Sequence, residues 1–398
     1  MFESSNLSAE RKYGLSRTQK LLKLCNSPDL KLKCVHIAGS NGKGSCAAFI
    51  SSILSAAGKR VGTFTSPAVY DYFEQFSIDC ATAPREVVEK SLERVTELAN
   101  TLDDKPTQFE IETVAALLLF YESGLEYAVI ECGLGGIDDA TNAIAKKEIA
   151  VITGVTLEHT AELGSTIEEI CRKKSGIAVN CPLYVSARQC DEASNFFKNF
   201  GAYFSGDGLR VVSEDENGQV FNYNGVTYKT SLYGIEQAYN AALAVDTCRY
   251  LGITDCEILK RGIENTEISG RVERVYTHGK KFILDGGHNP AALAPFIRFI
   301  ENYGGSAELI FGCLNDKDIN NMAEILCPLF KKITLVAAPC GRAMSTEKMQ
   351  EAFNGKAACL QVAGNIATAL DGAVYPTVAV CGSFTLLKEA KKWIDKKL

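Results

Sequence analysis

The sequence predicts an α/β protein with two units: a mostly parallel sheet that carries a small antiparallel addition, followed by a smaller Rossmann-like α/β domain. Three observations support this fold class. Short apolar runs alternate with helical segments from residue 34 onward, aromatic and β-branched residues alternate over residues 182–232, and the strand–helix pattern restarts after residue 270. We therefore predict a domain over residues 1–266 and another over 267–398.

The first predicted strand leads directly into a glycine-rich turn. An apolar run ends at Ala38, residues 39–45 read GSNGKGS, and a helical segment follows. Glycines in such a turn permit positive φ and direct backbone N–H groups inward, while the helix N-terminus attracts anions. We predict a P-loop-type phosphate site, with a purely structural turn as the alternative. Its residues are Gly39, Asn41, Gly42, Lys43, Gly44 and Ser45.

The spacing of this loop differs from the usual G-x-x-x-x-G-K-[ST] pattern. Gly44 separates Lys43 from Ser45, and the loop is shorter. Lys43 still supplies a cation, and Ser45 still supplies a hydroxyl for Mg²⁺ at the start of the helix.

Two further strands end in residues suited to bind a metal ion. The run YAVIE ends at Glu131, and EIAVITGVT is followed by Glu158 and His159. Because the carboxyl ends of parallel strands meet at one edge of a sheet, we expect Ser45, Glu131 and His159 to converge there. Mg²⁺ prefers oxygen ligands, and a neutral imidazole can complete its shell. A loop or cap role for Glu131 and an ordinary polar role for His159 are the alternatives.

Helices are predicted on both sides of these strands. Residues 1–30, 84–102 and 110–124 show helical periodicity. The first of these segments is punctuated by the basic residues Arg11, Lys12, Arg17, Lys20 and Lys23.

Two polar positions in the first domain have an open interpretation. Ser66 follows the second strand, either facing a ligand at the sheet edge or lying in an ordinary turn. Gln237 and Asn240 share one side of a predicted helix. Their amides could contact a nucleotide base or cap contacts between domains.

The second domain has one loop that is rich in polar groups. A strand ends at Asp285 and is followed by two glycines, His288 and Asn289 before a helix begins. The loop concentrates an acid, an imidazole and an amide at a strand-to-helix turn. This arrangement predicts a functional role, with a simple helix cap as the alternative.

Composition excludes several classes of protein. The net charge of −6 gives no basic surface for nucleic acid. The apolar runs are too short to span a bilayer, and the first fifteen residues lack the pattern of a secretion signal. The fifteen cysteines are odd in number and form no C-x-x-C pair, so we expect them to be reduced and mostly buried. We expect a cytoplasmic monomer that binds small molecules and neither nucleic acid nor membranes.

Taken in order, these motifs resemble the folylpolyglutamate synthase and dihydrofolate synthase family, the folate branch of the Mur ligase superfamily. The resemblance covers nearly the whole chain. The motifs that carry it are GSNGKGS (39–45), TSP (65–67), ECGLGGIDDATN (131–142), EHT (158–160), EEICRKKSGI (168–177), ISGRVE (268–273), DGGHNPAA (285–292) and NDKD (315–318).

The resemblance implies an ATP-dependent amide ligase that adds L-glutamate to a reduced folate or to dihydropteroate. In this reaction a substrate carboxylate attacks the γ-phosphate to give an acyl phosphate and ADP. The amine of glutamate then attacks the acyl carbon and expels phosphate. The implied cofactors are ATP and two Mg²⁺ ions.

The resemblance also implies roles for residues of the first domain. Lys43 neutralises phosphate, while Ser45, Glu131 and His159 match metal ligands. Lys174 matches a lysine that becomes a carbamate and helps to hold the second Mg²⁺. Because CO₂ reacts only with a neutral amine, this role requires a site that lowers the pKa of Lys174.

Further roles are implied across the two domains. Arg271 matches an arginine that reaches ATP from the second domain, and Asn240 is assigned to nucleotide binding with it. Asp285 and His288 match residues that close over the nucleotide and the reaction centre. Ser66 and His288 are the predicted substrate contacts.

Several positions depart from the family pattern, mainly at acceptor and loop positions. They are Ala68 and Val69 after Ser-Pro, Gln75 and Phe76 after Glu74, Ile137 in the GG-x-x-DATN segment, Glu236 before Gln237, and Lys173 before Lys174. A Mur-type ligase that joins an amino acid to a non-folate carboxylate is therefore the first alternative. A non-catalytic nucleotide-binding paralogue is the second.

Overall fold

The computed structural model describes residues 14–277 and 279–397. Arg11 and Lys12, two basic residues of the predicted N-terminal helix, lie outside the described residues. The predicted N-terminal helix is present from Ser16 to Leu24. In the described part of the chain, no helix is long and apolar enough to cross a membrane.

Eight strands of the described chain form the first sheet. They are β1 (Lys33–Ala38), β2 (Val61–Phe64), β3 (Phe76–Ile78), β4 (Ala81–Thr82), β5 (Tyr127–Glu131), β6 (Ile149–Ile152), β7 (Leu183–Ser186) and β8 (Tyr203–Ser205). Their order across the sheet is β4-β3-β2-β5-β1-β6-β7-β8. The pairs β2–β3 and β3–β4 are antiparallel, and the others are parallel.

Helices cover both faces of this sheet. They are α1 (Ser16–Leu24), α2 (Lys43–Ala56), α3 (Arg85–Ala99), α4 (Gln108–Glu122), α5 (Thr160–Leu163), α6 (Ile167–Ser175), α7 (Asp191–Phe200), α8 (Ile235–Tyr250) and α9 (Cys256–Glu264). Val129 of β5 packs into the core with α2 and α8, whereas the next residue, Ile130, packs with α3 and α4. Alternate side chains thus bury opposite faces, as expected for a parallel sheet between helical layers.

The antiparallel addition is shorter than the sequence predicted. Only β9 (Arg210–Asp215), β10 (Gly218–Tyr223) and β11 (Val226–Thr230) form it, in the order β11-β10-β9. The prediction for residues 182–205 was wrong, because β7 and β8 extend the parallel sheet with α7 between them. The missed signal was the helical spacing of Ala193, Phe196, Phe197 and Phe200.

The second domain is built on a mixed sheet. Its strands are β12 (Glu273–Thr277), β13 (Lys280–Asp285), β14 (Ala307–Phe311), β15 (Lys332–Leu335), β16 (Leu360–Val362) and β17 (Thr377–Cys381). Their order is β12-β13-β17-β14-β15-β16, and every pair except β12–β13 is parallel. The sequence did not predict β16. The mixed α/β fold class is confirmed.

Helices also flank the second sheet. They are α10 (Pro290–Phe299), α11 (Ile319–Leu326), α12 (Thr346–Phe353), α13 (Ile366–Asp371) and α14 (Phe384–Asp395). Asn289 caps α10 by accepting a hydrogen bond from the Ala292 N–H at 2.8 Å. The cap interpretation of the polar loop thus holds for Asn289.

The cysteines are unpaired throughout, and nine of the fifteen are buried. They pack as small apolar side chains, which agrees with the prediction that most are buried.

Candidate active site

A cleft of about 1270 Å³ lies between the two sheets. One wall comes from the segments that follow β1, β2, β5 and β6, and the other from the segments that follow β13, β14 and β17. The carboxyl ends of strands from both domains therefore face one space. Of the predicted site residues, all line this cleft except Asn240 and Asp285.

The glycine loop is confined on both sides by other elements. Gly39 and Gly42 have φ of 146° and 88°, in the region that favours glycine. A Cβ at Gly39 would overlap the hydroxyl of Thr153, and one at Gly42 would lie 2.8 Å from the Asn240 amide. Asn240 thus packs on the loop, and the Thr153 hydroxyl donates to the Asn41 carbonyl at 2.7 Å. These contacts hold the loop at the N-terminus of α2.

Lys43 and Glu131 face each other at the loop. The Lys43 Nζ lies 3.9 Å from Glu131 Oε1 and donates to two loop carbonyls at 3.2 and 3.4 Å. Glu131 ends β5 and is 6% exposed. Burial raises the pKa of Glu131 to about 7, although Lys43, the Ser66 N–H and Arg271 oppose this rise. A bound cation would hold this carboxylate in its charged form.

Lys174 reaches the loop from α6. Its Nζ is buried and donates to the Gly39 carbonyl at 2.8 Å and to Glu158 Oε1 at 3.0 Å. Burial lowers the pKa of Lys174, while Glu158 opposes this shift. Glu158 was not among the predicted site residues. Its position beside His159, at the end of the segment after β6, was the available signal.

The predicted metal ligands lie on the same wall of the cleft. Ser45 is buried in the first turn of α2, and His159 precedes α5 with a φ of 45°. A hydroxyl, a carboxylate and an imidazole form a donor set that suits Mg²⁺. Within the described ranges, no three His, Cys, Asp or Glu side chains form a metal cluster alone. An ion here would also need phosphate or water oxygens.

The charge of the cleft also indicates that phosphate and metal ions would bind together. The carboxylates in the described lining are Glu74, Glu131, Glu158, Glu162, Glu267, Asp316 and Asp318, and the cations are Lys43, Lys174, Arg271 and Lys317. A polyanion cannot bind stably to a wall with more carboxylates than cations unless further positive charge accompanies it. The lining therefore fits a triphosphate that arrives with divalent cations.

Asp285 supports the second wall from behind. It is 3% exposed and accepts hydrogen bonds from the N–H groups of Val272 at 2.8 Å and Gly287 at 2.7 Å. Burial raises the pKa of Asp285, and Arg271 opposes the rise. Arg271 itself lies in the cleft, with its guanidinium 5.1 Å from the centre of the Phe384 ring. Sequence reasoning missed Phe384, which follows β17 without a recognised polar motif.

His288 presents a neutral imidazole to the cleft. Its Nδ1 lies 2.8 Å from the Gly286 carbonyl, which can only accept, so Nδ1 carries the proton. Burial lowers the pKa of His288 to about 4. At neutral pH its Nε2 is therefore a hydrogen-bond acceptor.

Between pH 7 and 5, His288 and Glu131 are expected to change the free energy of unfolding in opposite directions, since the pKa of the buried imidazole is lowered and that of the buried carboxyl is raised. The pKa of His288 in the folded protein lies below the ordinary value of about 6.5, so the unfolded chain binds more protons between pH 6.5 and 4. The contribution of His288 to stability is therefore lost as pH falls through this window, by about 2 kcal/mol at pH 5. Urea unfolding at both pH values should show a change on acidification that is less favourable in the wild type than in His288→Asn, by about 2 kcal/mol. Equal changes in the two proteins would contradict the buried neutral state.

Most of the residues that differ from the family pattern lie outside the cleft and make their contacts elsewhere. Gln75 is buried, and its amide donates to the Tyr72 carbonyl at 3.2 Å. Ile137 is 45% exposed and is not part of the described cleft wall. Glu236 forms an ion pair with Arg188 at 3.1 Å. Such positions can change without altering the walls around the loop.

Comparison with known families agrees with this geometry. Residues 37–248 match the Mur ligase middle domain, and residues 270–384 match the Mur ligase, glutamate ligase domain. The dihydrofolate synthase/folylpolyglutamate synthase of Bacillus subtilis is 32% identical over 79% of this chain and 79% of its own length. A probable bifunctional folylpolyglutamate synthase/dihydropteroate synthase of Haloferax volcanii is 31% identical over 96% of this chain. The chain spans 48%, about half, of that archaeal relative.

Solved structures share the whole architecture. FolC of Escherichia coli in complex with DHPP and ADP superimposes with a TM-score of 0.85 at 27% identity, covering 98% of this chain and 95% of that one. The Yersinia pestis bifunctional enzyme complexed with AMPPNP and Mn ion gives 0.83 at 25%, covering 98% and 95%. The family predicted from the ordered motifs is confirmed. This chain belongs to the folylpolyglutamate and dihydrofolate synthase family of Mur ligases.

Proposed function

We propose that this protein is an ATP-dependent ligase that joins the amine of L-glutamate to a folate carboxylate through an acyl phosphate. One observation carries the proposal: the phosphate loop with Lys43, Glu131 and Lys174 faces Arg271 and His288 across a single cleft. The relatives of this protein are named as synthases of this kind, and the solved structures among them are named as complexes with ADP, AMPPNP, DHPP and Mn ion. ATP and a divalent metal ion are accordingly its cofactors.

Phosphoryl transfer depends mainly on positioning and charge neutralisation. The loop amides and Lys43 hold the phosphates at the N-terminus of α2, and Arg271 approaches them from the second domain. Mg²⁺, held by Ser45, Glu131 and His159, would neutralise phosphate charge. The acceptor carboxylate, near Ser66, forms a bond to the γ-phosphorus, and the bond to the ADP oxygen breaks.

The amide forms in the second step. The amine of glutamate attacks the acyl carbon, and inorganic phosphate leaves. The neutral His288 faces the cleft, and its Nε2 can take the proton that the amine loses. Asp285 acts indirectly, because it fixes the backbone beside Arg271 and His288. Walls from both domains limit the access of water, which would otherwise hydrolyse the acyl phosphate.

We also propose that Lys174 carries a carbamate that helps to hold a second Mg²⁺. Its Nζ lies in the cleft wall beside the loop, 3.0 Å from Glu158. A carbamate there would place a second negative charge beside Glu158, which only a nearby cation could stabilise. The site thus fits the modification when the metal is present. The mass of intact, metal-loaded protein would show one added CO₂, which Lys174→Ala would lack.

The acceptor is the part of the function that most needs a direct test. Ala68 and Val69 line the cleft where the family pattern has other residues, which favours a non-folate carboxylate as the second candidate. Purified protein with ATP, Mg²⁺ and glutamate should release phosphate on addition of dihydropteroate or tetrahydrofolate. The product should be one glutamyl residue heavier by mass spectrometry. If neither folate caused phosphate release and another acid did, the acceptor would be that acid and not a folate.

We place the domain boundary at residues 266 and 267 and propose a cytoplasmic monomer whose partners are small molecules. Sedimentation at several protein concentrations would test the monomeric state.

A further inference from the structure

We propose that Tyr70 and Glu273 are positioning residues that tie the loop carrying Ser66 to the backbone beside Arg271. This contact would fix the backbone beside Arg271, so that the guanidinium is already in position when ATP binds. The inference rests on the proposed contact between Arg271 and ATP.

The loop after β2 is anchored within the first domain. The Thr65 N–H, next to Ser66, donates to the Gln75 carbonyl at 3.1 Å. Further along, Glu74 Oε2 accepts hydrogen bonds from the N–H groups of Val69 at 3.2 Å and Tyr70 at 3.0 Å. The backbone of this loop is therefore held within the first domain on both sides of Ala68.

The side chains of the same loop reach the second domain. Val69 and Tyr70 pack against the apolar core formed by β13, β17 and α14. The Tyr70 hydroxyl donates to Glu273 Oε2 at 2.5 Å, and Lys391 lies 6.0 Å from the centre of the Tyr70 ring. Burial and Glu273 raise the pKa of Tyr70, so its hydroxyl remains a donor at neutral pH. The Tyr70 side chain thus forms a hydrogen bond between the two domains.

Glu273 connects this bridge to Arg271. The oxygen that accepts from Tyr70 also accepts from the Gly270 N–H at 2.8 Å, and the other oxygen pairs with Lys391 at 3.4 Å. Gly270 has a φ of 64°, and a Cβ there would lie 2.9 Å from Val69 Cγ1. The loop therefore packs directly on the residue that precedes Arg271.

The segment around Arg271 has few other restraints. The Gly270 carbonyl accepts from the Gly286 N–H at 2.8 Å, and the Val272 N–H donates to Asp285. The Gly270 N–H depends on Glu273, whose orientation depends in turn on Tyr70 and Lys391. Loss of the Tyr70 hydroxyl should therefore loosen the backbone on one side of Arg271, while the other side stays fixed.

The first test is Tyr70→Phe, which keeps the ring and removes only the hydroxyl. We expect the Kd of a non-hydrolysable ATP analogue with Mg²⁺, measured by calorimetry, to rise about tenfold, which lies within the range by which residues that do not touch a ligand change its affinity. Tyr72→Phe is the matched control. The Tyr72 hydroxyl donates to Glu112 at 2.8 Å within the first domain, so its loss should leave this Kd within about twofold.

The second test asks whether Tyr70 acts through Arg271. In an Arg271→Ala background, Tyr70→Phe should weaken binding of the analogue no further. Glu273→Ala should weaken binding at least as much as Tyr70→Phe, and Glu273→Gln, which keeps an acceptor oxygen, should restore part of the affinity.

Three outcomes would overturn the inference. They are an unchanged Kd in Tyr70→Phe, an equal rise in Tyr72→Phe, or an undiminished effect of Tyr70→Phe in the Arg271→Ala background. An unchanged Kd in Arg271→Ala alone would remove the premise that Arg271 binds ATP. None of these results depends on the acceptor, so they are separate from the turnover test of glutamate ligation.

Discussion

Replacing Lys43 with alanine is expected to lower kcat/KM for ATP by about a thousandfold. Lys43 is the cation within the proposed phosphate loop, and its Nζ donates to two loop carbonyls and approaches Glu131 at 3.9 Å. Its loss would leave the triphosphate facing the carboxylates of the cleft with less compensating charge. Phosphate release at saturating glutamate and folate, with ATP varied, measures the effect.

Lys173→Ala is the matched control for this prediction. Lys173 neighbours Lys174 on the same helix, but its Nζ lies 3.9 Å from Asp138 and the residue is not part of the described cleft lining. Removing this charge should change kcat/KM by less than about threefold. If Lys43→Ala kept near wild-type turnover, the loop would not be the phosphate site.

Glu131→Gln is expected to lower turnover by about a hundredfold and to raise the Mg²⁺ concentration needed for half-maximal activity. The substitution keeps the shape of the side chain but removes a charge at the end of β5. Because burial already raises the pKa of Glu131 to about 7, this carboxylate has little compensation in the protein except Lys43 and Arg271. A bound metal ion would supply the positive charge that this carboxylate lacks. Titration of Mg²⁺ into metal-free enzyme measures the shift.

Glu267→Gln controls for the loss of one cleft carboxylate. Glu267 lines the cleft but is exposed on the segment between the domains. Its variant should show the wild-type dependence on Mg²⁺. An identical Mg²⁺ dependence in Glu131→Gln and wild type would remove Glu131 from the metal site, whereas chelation of Mg²⁺ should stop turnover in every variant.

The two halves of the cleft differ in how their polar residues are supported. On the first wall, Lys43, Glu131 and Lys174 contact one another or the loop directly. On the second wall, Arg271 and His288 project from backbone that Asp285 fixes by two hydrogen bonds. Asp285→Asn should therefore act mainly by moving Arg271 and His288.

The sequence by itself determined most of the order of strands and helices and the residues that end the strands at the site. Apolar runs, glycine turns and helical periodicity are local properties, and parallel strands bring their carboxyl ends to one edge. Gly39 to Ser45, Glu131 and His159 could therefore be assigned to one sheet edge in advance, and His288 to a polar loop of the second domain. The ordered motifs added Lys174 and Arg271, which no local pattern marks as functional.

Only the tertiary structure decided how those residues are paired. Glu158 reaches Lys174 because α6 packs beside the loop, Asp285 lies behind the cleft because two backbone N–H groups hold it there, and Tyr70 meets Glu273 across the domains. Such contacts join residues that are distant in the chain, so they depend on how whole elements dock. The extent of the antiparallel sheet was misjudged because the helical spacing of α7 was overlooked, whereas the parallel direction of β7 and β8 is set by the sheet beside them.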